Sequence, residues 1–429
     1  MASPTDRAVR DLTDRFAACF PPRISVPRTV GREAEFPLVT ADGRAGDASR
    51  VWPILVEQGW EPIVDRVPGG PPGALIGVRG RRWESVVEVG RCTMEVIVGP
   101  RPSLWALGED LHAALGVLLP AVRRAGYRLL GYGIQPRTPS GPGLLAPKRR
   151  YPVMARVTGG RWLRWCVTAS DQVHVAISRR ELVPMLNVMN GVAGALIAAT
   201  ANSSVYRGRA GRFASGREGL MEDVTGEPYR HGAVPRPFGD LDDWVRFVLG
   251  FRCLFLPDGQ GGYREPGRPM GELLDRHPDV DSFLFHDHYL WPSARPRARL
   301  GTLEVRPACQ QPPEDSWAAT ALVVGLTEAH RQAQALVEDR LGPDPWPALL
   351  RFRRAAVRHG VRAAEPVGGF LEELVGVAER GLRDRGQGEE TLLEPVRERV
   401  ERRWGPADAA QELASERGAG ALVDALGLA

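Results

Sequence analysis

The chain has 429 residues, of which 43% are hydrophobic and 25% charged, a composition typical of soluble globular proteins. Its formal net charge of +4 is small for this length and gives no strong signal for nucleic-acid binding. Lys148 is the only lysine, which excludes a Gly-Lys-Ser/Thr phosphate loop and leaves Lys148 as the one candidate for a Schiff base.

Cysteine usage and the apolar segments indicate a cytoplasmic protein. The five cysteines are scattered, without a C-x-x-C pair, which disfavours a disulfide framework or a zinc ribbon and favours a reducing compartment. The N-terminal segment predicts an amphipathic helix with acids throughout, unlike a signal peptide. The most apolar run, "VAGALIAATA" from Val192, is shorter than the about 20 residues that cross a bilayer. We therefore expect no membrane partner.

In chain order, the periodicities predict strands first and helices last. The predicted strands of the first third are Thr29–Val39, Ala74–Val78, Ser85–Val89 and Thr93–Val98. A helix ending at Gly126, a strand in "WLRWCVTASDQVHVAIS", a long helix from Glu181 to about Thr200 and a strand in "ARLGTLEVRPA" follow. From about Asp315 helical patterns dominate, including "FLEELVGVAERGLRDR" and "LLEPVRERVERRW". This order predicts an α+β fold, with a catalytic core over 1–314 and a helical part over 315–429 packed on it in the same domain.

Carboxylates occur within several of the apolar, strand-like segments. Glu33 and Glu35 lie two apart in "TVGREAEFPLV", so a strand places both on one face. Glu88, Glu95 and Glu304 lie in similar surroundings. Each acid alone is explained equally well by the solvated face of a half-exposed sheet, but carboxylates that converge on one face call for a divalent cation. Mg²⁺–ATP is the first hypothesis.

Two further segments are unusually polar. "TASDQVHV" places Gln172 and His174 on one strand face, and "ATANSSVYRGR" ends an apolar helix with Asn202 and Ser203. Taken alone, a satisfied core histidine and an ordinary helix C-cap explain these residues as well as a binding site does.

Together these segments resemble glutamate–cysteine ligase family 2, the carboxylate–amine ligases. "GREAEF" matches the opening G-x-E-x-E strand, and "WESVVEVGRCTMEVIVGP" resembles the second acidic hairpin. "GYGIQP…PKRRYPVM", "TASDQVHV", "ANSSVYRGRAGRFASGR" and "GTLEVRP" follow in the family's order. The C-terminal segments "AAVRHG" and "GPADAAQELASERGAGALVDAL" resemble the family's last helices, so the resemblance covers almost the whole chain.

The resemblance implies a glutamine-synthetase-like fold, with a curved antiparallel or mixed sheet and helices packed outside. It implies ATP-dependent amide formation through an acyl phosphate, with two or three Mg²⁺ ions. The substrates would be a small carboxylate, usually the γ-carboxylate of glutamate, and an amine, often that of cysteine. Nucleic acid is not an expected partner, and a homo-oligomer is possible.

Site roles follow from the same resemblance. The implied metal ligands are Glu33, Glu35, Glu88, Glu95 and Glu304. Arg306 and Arg217 would hold the transferred phosphoryl group or the substrate carboxylate. Asn202 and Ser203, with Arg217, would shape the nucleotide site. The implied contacts of the amino-acid substrate are Gln172, His174, Arg306 and Cys309.

The sequence departs from the family pattern at three positions near these motifs. Ser204 stands where a proline is usual, Arg212 replaces a glycine, and Cys309 occupies a position that is often acidic. Loss of that acid removes one anchor for an ammonium group and leaves the identity of the amine open. We interpret Cys309 as a buried structural thiol and not as a nucleophile. His286 and His288 lack further zinc ligands at plausible spacing and are interpreted as loop residues at the rim of the site.

Two competing functions remain. A guanidino-kinase-like phosphotransferase of the same broad fold would phosphorylate an amine and stop. A catalytically silent nucleotide-binding or partner-binding protein is the alternative from another class. Five retained acids argue against the silent protein, because buried carboxylates without a metal cost stability.

Overall fold

The computed structural model describes residues 4–274 and 279–429. Antiparallel strands from the first three quarters of the chain form one large sheet, and helices cover one face of it and make up the C-terminal part. The predicted α+β class with an antiparallel sheet is confirmed.

The strands contribute to one large sheet and to three two-stranded ribbons. Their bounds are β1 (Val30–Val39), β2 (Glu61–Val64), β3 (Leu75–Arg79), β4 (Trp83–Val87), β5 (Thr93–Arg101), β6 (Arg128–Leu129), β7 (Asp171–Ala176), β8 (Val205–Tyr206), β9 (Arg209–Ala210), β10 (His231–Gly232), β11 (Leu256–Pro257), β12 (Tyr263–Arg264), β13 (Trp291–Pro292), β14 (Ala294–Arg297) and β15 (Thr302–Val305).

The α-helices become more frequent along the chain. Their bounds are α1 (Pro4–Ala18), α2 (Trp52–Glu57), α3 (Leu104–Arg124), α4 (Arg150–Thr158), α5 (Leu182–Gly191), α6 (Ala193–Thr200), α7 (Gly216–Met221), α8 (Leu241–Leu249), α9 (Val280–Asp287), α10 (Ala318–Glu328), α11 (His330–Leu341), α12 (Trp346–His359), α13 (Phe370–Arg385), α14 (Glu394–Arg402), α15 (Pro406–Arg417) and α16 (Ala421–Leu426). Short 3₁₀ helices lie at Ala48–Arg50, Pro142–Leu144, Gly160–Val167, Met270–Leu273, Ala298–Leu300, Gly360–Arg362 and Glu389–Leu393.

The large sheet has the strand order β14-β15-β7-β1-β5-β4-β3-β2, with β6 paired to the end of β1. All of its strand pairs are antiparallel. The central strands come from distant parts of the sequence, since β7 and β15 lie on one side of β1 and β5 lies on the other. The sheet therefore brings side chains from far along the chain to positions beside Glu33 and Glu35.

One face of the sheet packs against helices α3 and α10. Its side chains are mostly apolar and buried, such as Phe36, Met94 and Val173. An ion pair is also buried there: the Arg32 Nε and Nη2 donate to the two Asp171 carboxylate oxygens at 2.7 and 2.9 Å. The Arg32 guanidinium lies 4.5 Å from the centroid of the Trp317 ring. This pair joins β1 to β7 directly beneath the polar face.

Several predicted elements are confirmed within a few residues: β1, β3, β4, β5, α3, α13 and α14. Two predictions were wrong in part. The segment Gly160–Val167 is a 3₁₀ helix and not a strand, because Trp162 and Trp165, three apart, project from it towards the same cavity. The long helix from Glu181 is two helices, α5 and α6, bent by 50°.

Within residues 4–274 and 279–429, no single helix is both long and apolar enough to cross a membrane. Among the described helices, α5 and α6 reach that length and composition when they are counted together.

Candidate active site

Polar side chains from neighbouring strands share the face of the sheet opposite α3 and α10. Glu35 pairs directly with Glu95, Glu33 pairs with Gln172, and His174 pairs with Glu304. Since paired residues on neighbouring strands lie side by side on one face, these six side chains form a continuous polar surface. Glu88, which the prediction placed inside the strand, joins it from the residue directly after the observed end of β4.

Side chains of this face form two clusters. Within each cluster, the candidate ligand atoms lie within 4.8 Å of one another. One consists of Glu35, Glu88 and Glu95, and the other of Glu33, His174 and Glu304. All five glutamates that the sequence singled out are therefore brought together in two groups. His174, which the resemblance placed against the amino-acid substrate, lies between Glu33 and Glu304, with its Nε2 at 3.0 and 3.6 Å from their carboxylate oxygens.

The first cluster lacks enough positive charge to balance its carboxylates. Burial and the neighbouring Glu88 raise the pKa of Glu35 to about 7, although Arg217 opposes the shift. Burial, together with Glu88, Glu33 and Glu35, raises the pKa of Glu95 well above its ordinary value. Glu35 is held in place by the Ser170 backbone N–H, which donates to it at 2.6 Å. This cluster is an acceptor-rich group that resists full ionisation until a cation joins it.

The second cluster is balanced by arginines of strand β14 and of the residue after β15. Arg295 and Arg297 donate to Glu304, the latter at 3.1 Å, and the Arg306 guanidinium lies 3.0 Å from a Glu304 oxygen. Although burial raises the pKa of Glu304, these three cations outweigh it and lower the pKa well below its ordinary value.

His174 has the same effect on the second acid of this cluster. Burial again acts in the opposite direction, but the imidazole lowers the pKa of Glu33 to about 2. Both carboxylates of the second cluster are thus ionised at neutral pH.

Gln172 connects the two clusters. Its Nε2 donates to Glu35 at 2.7 Å, and its Oε1 accepts from Arg306. The amide therefore fixes the relative positions of a carboxylate from one cluster and a guanidinium from the other. Gln172 and Arg306 both line the cavity in front of the sheet, as their predicted roles require.

That cavity has a volume of about 240 Å³ and is bounded on one side by the two acidic clusters. The rest of its lining includes aromatic and cationic side chains. These are the side chains of Lys148, Arg150, Tyr151, Trp162, Trp165, His288, Tyr289 and Trp291. Burial lowers the pKa of Lys148, against the pull of the Glu88 carboxylate. A small anion bound together with a metal ion would therefore meet both carboxylates and cationic side chains in this cavity.

Arg217 lies near this cavity but not in its lining. It is buried at the start of α7, where its Nη1 donates to Glu218 at 2.5 Å. Arg353 of α12 donates to the other Glu218 oxygen at 2.5 Å. The Nε atoms of Arg217 and Arg353 are buried without a hydrogen-bond partner. These two Nε–H groups are therefore unused hydrogen-bond donors close to the site.

Asn202, Ser203 and Cys309 are buried and do not line the cavity. The Asn202 amide donates to the Gly131 and Gln310 carbonyls at 2.9 and 2.8 Å. The Cys309 Sγ lies 3.2 Å from the Ser203 Oγ, and this hydroxyl accepts from the Arg217 backbone N–H at 3.0 Å. Ser203 and Cys309 thus contact the segment that carries Arg217, Asn202 contacts two other loops, and none of the three lines the cavity.

The interpretation as loop residues was wrong for His286, whereas His288 does lie in a turn outside the helix. His286 is buried within α9, where its Nε2 lies 3.0 Å from the Val248 carbonyl oxygen. His288 follows the end of that helix and lines the cavity. His286 is helical because "VDSFLFHD" follows Asp279 as N-cap and continues as a helix.

Sequence reasoning missed several lining residues. Arg295 and Arg297 alternate in "SARPRA", which indicates a strand that turns both arginines to one face, but the absence of acids there hid their pairing with Glu304. The aromatic wall comes from three separate segments and carries no local signature. Its assembly depends on loops whose paths the pattern does not specify.

The oxygen donors of the first cluster are of the kind that magnesium binds. Hard cations such as Mg²⁺ bind oxygen ligands at about 2.0–2.1 Å, usually through one or two carboxylates and substrate phosphates. Glu35, Glu88 and Glu95 offer carboxylate oxygens alone, lie within 4.8 Å of one another and have unbalanced charge. Their chemistry fits Mg²⁺.

Comparisons with known proteins agree on one family. The profile of "Glutamate-cysteine ligase family 2 (GCS2)" matches residues 29–424. A Frankia alni protein provisionally named glutamate–cysteine ligase 2-2 is 34% identical over 193 residues, which are 44% of this chain and 48% of that protein. The matched segment thus spans about half of that relative's length.

Two further similarities extend over more of the chain. A Rubrobacter xylanophilus protein provisionally named glutamate–cysteine ligase 2-3 is 27% identical over 346 residues, 79% of this chain and 77% of that protein. The crystal structure of glutamate–cysteine ligase from Francisella tularensis in complex with AMP has a similar fold, with a TM-score of 0.57 and 11% identity over 94% of this chain and 88% of that one. Since the family profile covers most of the sequence, the chain belongs to glutamate-cysteine ligase family 2.

Proposed function

We propose that the protein is an ATP-dependent carboxylate–amine ligase that makes a γ-glutamyl amide. The observation that carries this proposal is the gathering of five glutamates from four separate segments on one sheet face, around a cavity that also has cationic lining residues, in a member of this ligase family. A carboxylate and a triphosphate repel each other, so a site that joins them must supply cations from more than one side.

In the proposed reaction an oxygen of the glutamate γ-carboxylate attacks the γ-phosphorus of ATP, and ADP leaves. The amine nitrogen then attacks the acyl carbon of the resulting acyl phosphate, loses a proton and displaces inorganic phosphate. This reaction needs no covalent intermediate between substrate and protein. The absence of a nucleophile motif in the sequence is consistent with that requirement.

The chain's own residues have distinct proposed roles. Glu35, Glu88 and Glu95 would hold one Mg²⁺, and Glu33 and Glu304, with His174 between them, would hold a second. Bound magnesium would neutralise phosphate oxygens and the charge that develops on the leaving group. Gln172 orients Glu35 and Arg306, so that the metal-binding carboxylate and the cation stay in register.

Arg306 and Arg217 would hold the phosphoryl group or the substrate carboxylate, because guanidinium groups bind both through paired hydrogen bonds. Ser203, which contacts Cys309 and accepts from the Arg217 backbone N–H, would act on the substrates through Arg217, while the neighbouring Asn202 would help to shape the nucleotide site. The cavity's aromatic wall would exclude water from the acyl phosphate, which water hydrolyses.

The test measures phosphate released from Mg²⁺–ATP with L-glutamate and a panel of amines that includes cysteine, followed by mass spectrometry of the products. We expect phosphate release that requires both substrates, and a product with the mass of glutamate plus amine minus water. A phosphorylated amine would instead identify a phosphotransferase. If no carboxylate–amine pair gives phosphate above background, the proposal is wrong.

A further inference from the structure

The single lysine of the chain lies in the wall of the candidate active site. Of 56 basic residues, Lys148 alone is a lysine. It precedes α4 and is held there by backbone hydrogen bonds, one from its own N–H to Ala146 and one from the Tyr151 N–H to its carbonyl. Its side chain is only 5% exposed and lines the 240 Å³ cavity.

The Lys148 ammonium has no acceptor of its own. Within the described part of the chain it donates no hydrogen bond and joins no ion pair, and its contact is the Tyr151 ring, whose centroid lies 5.5 Å from the Nζ. An ammonium group has three donors. The Glu88 and Glu95 carboxylates attract this ammonium group without accepting a hydrogen bond from it, so its donors remain available to an acceptor in the cavity.

Arg150 adds a second cation to this part of the wall. Its guanidinium lies 5.2 Å from the centroid of the same Tyr151 ring that Lys148 contacts. Both cations line the same cavity as Glu35, Glu88 and Glu95. Two adjacent cations select against a metal ion or an ammonium group as their ligand, and they favour an oxyanion.

The cavity limits the size of that ligand. Pockets for drug-sized molecules have volumes of about 300–1,000 Å³, so a volume near 240 Å³ suits a small substrate or the phosphate tail of a larger one. An oxyanion bound beside Lys148 would share the cavity with the acidic cluster, where the proposed Mg²⁺ would meet its remaining oxygens.

We propose that Lys148, together with Arg150, forms an oxyanion subsite for a phosphate or carboxylate group of a substrate. The identity of the substrates rests on the proposed function, but binding of the anion does not require turnover. A failure of this inference is therefore distinguishable from a failure of the ligase proposal, because the two are measured separately.

A single lysine allows a direct test. Protein grown with [ε-¹³C]lysine contains one labelled side chain within this sequence, and its resonance reports on the Lys148 ammonium without any reagent having to enter the cavity. With Mg²⁺ present at a fixed concentration, the probes are inorganic phosphate, pyrophosphate, a non-hydrolysable ATP analogue and L-glutamate. Binding is followed in parallel by tryptophan fluorescence, because three tryptophans line the cavity.

We expect the Lys148 resonance to shift in a saturable way with at least one of these anions. Shifts with pyrophosphate and the ATP analogue identify a phosphate tail as the ligand, and a shift with glutamate alone identifies a carboxylate. The inference is overturned if anions bind by fluorescence without moving the resonance beyond its position in Mg²⁺ alone, or if no anion binds.

Variants provide the second measurement. Lys148→Met should weaken binding of the effective anion by about tenfold or more, since a hydrogen bond to a charged group contributes roughly 1.5–3 kcal/mol. Lys148→Arg should recover part of the affinity. The control is Arg156→Met, which removes an exposed cation on the same helix, paired with Glu265 outside the cavity. Equal affinities of Lys148→Met and this control would also overturn the inference.

Discussion

Glu35 of β1 and Glu95 of β5 are direct partners across an antiparallel strand pair, on the polar face of the sheet. Like charges in such a pair destabilise a sheet, and burial raises the pKa of both carboxyls. This pair destabilises the metal-free protein, and binding of a cation between the two carboxylates would offset that loss of stability. This relationship leads to opposite expectations for different acids of the site.

Glu95→Gln should stabilise the metal-free protein while removing its response to magnesium. The amide keeps the size of the side chain but removes one of the three clustered negative charges. In EDTA, we expect a higher Tm for the variant than for the wild type. Added Mg²⁺ should raise the wild-type Tm and leave that of the variant almost unchanged, and phosphate release should be lost.

The control for Glu95→Gln is Glu416→Gln, which changes an exposed glutamate of α15 in the same way. Its Tm should follow the wild type with and without Mg²⁺. A lower Tm of Glu95→Gln in EDTA would show that the carboxyl groups of the first acidic cluster do not destabilise the protein by repelling one another.

Glu304→Gln should have the opposite effect on stability. Its carboxylate is fully buried among Arg295, Arg297 and Arg306, and its removal leaves three cations without their common partner. Breaking a buried ion pair costs about 3–5 kcal/mol of unfolding free energy. Denaturant unfolding in EDTA should therefore show a loss for Glu304→Gln and a gain for Glu95→Gln. The same sign for both would contradict the division into a balanced and an unbalanced cluster.

The buried pair beneath the site offers a test of the sheet itself. Arg32→Met alone, or Asp171→Leu alone, should lower the unfolding free energy by about 3–5 kcal/mol, because each leaves an unpaired buried charge. The double variant should recover most of that loss, since an apolar pair of similar size removes both charges. Guanidinium titrations of the three variants measure this. Additive losses in the double variant would show that the two residues do not stabilise each other.

His286 should contribute to acid sensitivity. Burial lowers its pKa to about 3, against an ordinary value near 6.5, so the folded protein keeps it neutral where the unfolded chain protonates it. Its stabilising contribution is complete above pH 6.5 and is lost as the pH falls towards 3, by up to about 1.4 kcal/mol per pH unit.

His286→Gln keeps a donor for the Val248 carbonyl and removes the titrating ring. Unfolding free energies at pH 5, 6 and 7 should fall less steeply with acid in this variant than in the wild type. His112→Gln, which changes an exposed histidine of α3, is the matched control and should keep the wild-type slope. Identical slopes for all three proteins would refute the assignment.

Cys309 should be unreactive in the folded protein. Its thiol is 1% exposed and packed between the Ser203 and Ser215 hydroxyls, so iodoacetamide should not reach it, whereas the partly exposed Cys19 should be alkylated. Peptide mass spectrometry distinguishes the two. In Cys309→Ala, phosphate release should persist within about tenfold, because the thiol takes no chemical part. Rapid alkylation of Cys309 without denaturant would reopen a direct role.

The acidic strands could be predicted because strand alternation is a local property. Glu33 and Glu35 share a face wherever β1 lies in the sheet, and the alternation around Glu304 is equally local. The division of the acids into two clusters was out of reach, because it depends on the register that brings Glu95 beside Glu35 and His174 beside Glu304. Register is set by pairing between strands that the sequence separates by up to a hundred residues or more.

Other features depended on close packing. The break between α5 and α6 falls near Gly191 and Gly194, where helix α12 approaches so closely that an added Cβ on Gly194 would lie 2.9 Å from the Arg353 backbone nitrogen. In the sequence, the same stretch has the apolar pattern of one long helix. The position of Lys148 was equally unpredictable, since a loop rich in proline and glycine specifies no path.

Arg353 reaches Glu218 across 135 residues of sequence, and the carboxylate it meets also holds Arg217. A helix from the last quarter of the chain thus completes the charge balance next to a residue proposed to handle the phosphoryl group. A nascent chain released before α12, or one cut in the preceding loop, would carry the whole acidic sheet and still lack that balance. We expect the sheet and the late helices to melt as one cooperative unit, and a severed enzyme to regain activity only when its two fragments reassociate.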